Sequence, residues 1–99
     1  MSHTLTESRK ATYLEDLKTL LRIPSVSTDP NRKDEVKRCA DEVARQMKEA
    51  GLQEVEIIST PGHPVVYGEY KTDPDAPTAL VYGHYDVQPE DPIELWTSP

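Results

Sequence analysis

Phenylalanine is absent from this 99-residue chain, glycine occurs only four times, and there is a single cysteine and a single tryptophan. The lone cysteine, Cys39, cannot form an internal disulfide, which points to a reducing compartment. No stretch approaches the roughly 18 uninterrupted apolar residues of a membrane span. The opening residues MSHTLTESRK lack the apolar segment of a secretory signal. Bases are also short, 11 against 18 acids, for a formal net charge of −7. That balance excludes a general nucleic-acid binder, which needs a basic footprint to displace counterions from phosphate. It argues equally against docking on an anionic membrane surface. The expectation is a soluble cytoplasmic protein with neither a nucleic-acid nor a membrane partner.

Apolar residues are scarce as well. They make up 35% of the chain, where a globular domain runs roughly 45–50% with glycine included. A chain this short buries only a modest share of its surface even with a favourable composition. Either the domain is marginal, or it belongs to something larger.

What is present is unevenly spread. Residues 1–51 hold ten bases and nine acids, whereas residues 52–99 hold nine acids and one base, Lys71. Seven of the nine prolines lie at or after Pro61, and four of the five tyrosines between Tyr67 and Tyr85. The first half reads as solvated helices and the second as short strands joined by acidic turns.

Leu14, Leu17 and Leu21, with Leu20 beside them, form an apolar stripe that predicts a helix over residues 8–22. Thr6 or Ser8 can cap it, and Pro24 stops it. Residues 23–31, IPSVSTDPN, form a loop. A second helix follows, with Asp29 or Asn31 as N-cap and Asp34 and Glu35 in its first turn. Val36, Ala40, Val43, Met47 and Ala50 give its apolar stripe, and Gly51 suits the left-handed residue that closes it. The remaining face is charged and is read as solvated. Strands are predicted over residues 53–59, 65–71 and 78–83. The last, TALVYG, is apolar without alternation, as expected of a strand covered on both faces.

One cluster at the end of that strand can carry chemistry. Gly83, His84, Tyr85 and Asp86 follow it directly, and ligands of open α/β sheets bind outside the carboxyl ends of central strands. In extended backbone, residues two apart share a side, so His84 and Asp86 can reach one site. A histidine can ligate zinc while a nearby carboxylate orients it. By spacing alone H-x-D is common, and a histidine at a strand end is usually structural. His3 lies at the terminus, His63 in an exposed PGHP turn, and Cys39 beside the apolar stripe of the second helix, where core is the simpler role. A catalytic zinc site needs three protein ligands.

The longer string over residues 80–99, LVYGHYDVQPEDPIELWTSP, closely resembles the first metal-binding segment of the M20 family of metallopeptidases, in particular its dipeptidase and carnosinase-like members. There an apolar strand runs into G-H-x-D-V-Q-P, followed by D-P-x-x-L-W-x-S-P. The upstream order of helix, I-P-S-V-S loop, long helix ending in A-G, and strands also fits. The resemblance implies an α/β fold, part of a three-layer α/β/α zinc-exopeptidase catalytic domain, with two helices and three strands present. It implies that residues 1–99 are the N-terminal part of that domain, the rest and the lid or dimerisation domain being absent. It assigns His84 as the first zinc ligand and Asp86 as the catalytic-site aspartate that supports and orients the metal without ligating it. Residues 23–27 match a structural loop, and Trp96 a tryptophan expected to anchor its loop by burial. The parent would hold two zinc ions, hydrolyse small peptides, and form a homodimer; the segment alone would be inactive. The alternatives are an N-acyl-amino-acid deacylase of the same family and a non-enzymatic acidic α/β interaction module.

Overall fold

The computed structural model describes residues 6–97. His3 and the final Ser98 and Pro99 lie outside the described residues. Helix α1 spans Glu7–Leu21. Thr6, in extended conformation, caps it by accepting the Arg9 N–H at 3.2 Å, which decides between the two candidate caps. The expected leucine stripe does not become core: Leu14, Leu17 and Leu21 remain 50–60% exposed, and no residue of α1 is buried. The reason is what lies beneath it. Helix α1 meets only α2 among the described elements, for instance where the Gln46 side-chain amide donates to the Asp16 carbonyl at 3.2 Å.

Helix α2 spans Lys33–Glu49 and is entered through a single 3₁₀ turn, Pro30–Arg32. Asp29 caps that turn rather than the helix, accepting the Asn31 N–H at 2.9 Å. Val36, Cys39, Ala40 and Ala44 are buried, Val43 and Met47 half-buried, and Ala50 exposed. The buried line is thus rotated from the expected one toward Cys39 and Ala44. Two partners share its buried face: the first turns cover the loop around Ser25, and the last turn covers a β-hairpin. Gly51, at φ 100°, ends α2 as expected. The Leu52 N–H reaches the Met47 carbonyl and the Gly51 N–H the Lys48 carbonyl, both at 3.1 Å. This is the Schellman pairing.

Strands β1 (Glu54–Ile58) and β2 (Val65–Glu69) form an antiparallel hairpin, with Glu54 opposite Glu69 and Ile58 opposite Val65. In this register Val55, Ile57, Val66 and Gly68 share the face turned to α2. Gly68 lies so close to the helix end that a Cβ there would sit 2.9 Å from Met47 Sδ and 2.5 Å from Leu52 Cδ2.

The α/β class holds, but the third expected strand is not formed. Residues 78–83 join no sheet, and Leu80, Val81 and Tyr82 are 89–91% exposed. A fully buried strand takes its hydrogen bonds and its cover from neighbours on both sides, and the described chain provides neither. The core is correspondingly small: Ile23, Val26, Val36, Cys39, Ala40 and Ala44 around a fully buried Ser25. The radius of gyration, 16.4 Å, exceeds the roughly 13 Å of a compact domain of this length. No described helix is long and apolar enough to cross a membrane.

Candidate functional site

Two short extended strips meet under the N-terminal half of α2. One is Ser25, Val26, Ser27; the other is Tyr85, Asp86, Val87. Val26 and Val87 form a parallel bridge, and the Val87 N–H donates to the Ser25 carbonyl at 3.1 Å. The Ser25 hydroxyl donates to the Tyr85 carbonyl at 3.0 Å, and Cys39 Sγ approaches the same oxygen at 3.5 Å. Cys39 is therefore core, as expected, and burial pushes its thiol pKa up.

Alternation along the second strip sends Tyr85 one way and His84 with Asp86 the other. The Tyr85 hydroxyl donates to the Pro64 carbonyl at 2.5 Å, and burial raises its pKa. This pins the strip to the β1–β2 connection. His63, expected to be exposed, is half-buried in that connection, and its Nε2–H donates to the Ser27 carbonyl at 2.9 Å.

His84 Nδ1 and Asp86 Oδ1 are 2.7 Å apart, and the Ser27 hydroxyl donates to Asp86 Oδ2 at 2.5 Å. The Ser27 bond first, then the His84 bond, hold the Asp86 carboxyl below the usual carboxylate range. An ionised carboxylate only accepts, so the shared proton sits on His84 Nδ1. In the neutral ring this leaves Nε2 with its lone pair. The imidazole is 76% exposed, and Nε2 has no hydrogen-bond partner among the described residues.

Beyond the strips, the Arg32 guanidinium forks onto Glu90 at 3.0 and 2.6 Å and also reaches Asp29 at 3.3 Å. Beside Arg32 the Glu90 carboxyl falls to about 2. Trp96 is not buried as expected but 64% exposed. Instead its indole N–H donates to the Glu90 carbonyl at 2.9 Å, because no further layer is there to cover the ring. A single 3₁₀ turn, Ile93–Leu95, precedes it.

The donors fit one position of a metal site and its outer support: a histidine whose Nδ1–H is held by a carboxylate and whose Nε2 is open. No three of the described His, Cys, Asp and Glu residues gather into a group that could enclose an ion. The sequence placed His84 and Asp86 together; it did not reveal that Ser27, 59 residues earlier, completes the trio. The signal was a pair of short segments, S-V-S and Y-D-V, each carrying a valine beside polar residues, which only the Val26–Val87 pairing turns into a site.

No family model matches the chain, and no curated protein matches it by sequence. Among solved structures the fold is similar to that of the di-peptidase Dug1p of Saccharomyces cerevisiae, with a TM-score of 0.82 and 30% identity. The match covers 93% of this chain and 22% of the yeast chain. The chain thus resembles part of a peptidase and spans under a quarter of that enzyme's length.

Proposed function

We propose that the chain is the N-terminal part of the catalytic domain of an M20-type zinc metallopeptidase that hydrolyses dipeptides or short peptides. The observation that carries this reading is that His84 and Asp86, at the start of the GHYDVQP segment, join Ser27 in one hydrogen-bonded trio, in a chain similar to part of a di-peptidase. His84 would hold the metal through Nε2. Asp86 keeps the imidazole in the tautomer and orientation that ligation needs. When bound, zinc ions supply a polarised carbonyl and a water of lowered pKa. The general base and the remaining ligands belong to residues beyond this segment, and the parent is proposed to act in the cytoplasm as a homodimer.

Three observations support the idea of a part: the exposed apolar run at residues 80–82, the open dimensions, and, among the described residues, no group of three possible ligands around His84 where a zinc site needs three. The test is to express the coding sequence extended beyond Pro99 and assay dipeptides beside N-acyl amino acids. Dipeptide hydrolysis that is lost to a chelator and restored by zinc is expected. Preference for acyl substrates moves the protein to the deacylase branch, and a stop codon directly after Pro99 contradicts the enzyme altogether.

A further inference from the structure

We propose that Ser27 is a positioning residue, whose hydroxyl locks the Asp86 carboxylate and thereby fixes the proton of His84 on Nδ1. The inference rests on the metallopeptidase reading for its purpose, though not for its geometry. A terminal carboxyl rotates in a broad, roughly two-fold well, and Asp86, at 37% side-chain exposure, is not held by packing alone. Its two oxygens have separate tasks: Oδ1 meets His84 Nδ1 at 2.7 Å and Oδ2 takes the Ser27 hydroxyl at 2.5 Å. With Oδ2 tethered, Oδ1 has one place to be, and the imidazole proton goes to the nitrogen that faces it.

Ser27 is itself fixed from two sides. Its carbonyl accepts the His63 Nε2–H at 2.9 Å, and its neighbour Val26 is 1% exposed and bridged to Val87. The hydroxyl is not what joins the strips. The Val26–Val87 bridge, the Val87 N–H and the Ser25 hydroxyl do that, and all three survive its removal. Ser27 therefore acts on His84 only through Asp86.

The chain has three histidines, His3, His63 and His84, so a ¹⁵N-histidine sample resolves each ring. Long-range ¹H–¹⁵N correlation above the ordinary histidine pKa of about 6.5 reads the tautomer. Wild-type His84 is expected as the Nδ1–H form. Ser27→Ala should shift it to a mixture with the Nε2–H form, and Ser27→Thr, which keeps a hydroxyl, should restore it. In the extended protein, Ser27→Ala should weaken zinc binding about tenfold, the low end for an outer partner of a ligand. An Ala variant whose His84 tautomer matches wild type overturns the proposal. So does a Thr variant that behaves like Ala while keeping the wild-type circular dichroism. Should the tautomer respond as expected while the extended protein binds no zinc, the linkage stands and the metallopeptidase reading falls.

Discussion

Asp86 accepts from Ser27 and from His84 at once, so its charge serves two neighbours. Asp86→Asn keeps the shape and removes that charge. In the extended protein, zinc affinity or dipeptide turnover should fall about 10–100-fold, read from a metal titration and steady-state rates at saturating zinc. Unchanged values would remove Asp86 from the site. Glu90 offers a test that needs no metal. Its carboxyl pKa falls to about 2 beside Arg32, against about 4.3 in the unfolded chain. A lowered folded pKa means stability that is present above pH 4.3 and lost as pH falls toward 2. Wild type should therefore exceed Glu90→Gln in denaturant midpoint near neutrality, and the gap should close through that acid window. A gap independent of pH would show that the Arg32 fork is not its source. His84 and Asp86 could be read from their spacing and the motif around them. Ser27 and Arg32 could not, because their partners lie 58 or 59 residues away and become neighbours only once the strips pair.

Among the elements, α2 was the most legible. Its periodicity, acidic first turn and closing glycine all agree, and each depends on residues close in sequence. Its exact buried face was less so, since Cys39 and Ala44 are selected by what the helix covers. Ala40, 0% exposed, is the sharper probe of that face than half-buried Val43. Ala40→Asp places an unpaired charge in the buried face of α2 and should destabilise by several kcal/mol. An unchanged denaturant midpoint would contradict the packing. At the helix end, Gly51→Ala forces a Cβ into φ 100° and should cost about 1 kcal/mol by the same measurement. The strand at residues 78–83 was misread for a physical reason. An apolar run reports that a segment wants burial, whereas forming a strand takes partners the described chain does not contain.

For the whole molecule, apolar surface is left open at Leu14, Leu17 and Leu21 on α1 and at Leu80, Val81 and Tyr82. Unpaired apolar segments of this kind invite association, so the 99-residue chain should scatter light as more than a monomer. A monodisperse monomer would mean these surfaces are tolerated. On the proposed reading, His84 and Asp86 are one part of a metal centre completed by residues beyond this segment. Calorimetric titration of zinc into the 99-residue chain and into the extended protein, side by side, tests it most directly. Weak binding by the short chain and tight binding of two ions by the long one are expected, as a two-metal site requires. Equally tight, stoichiometric binding by the 99-residue chain alone would contradict it.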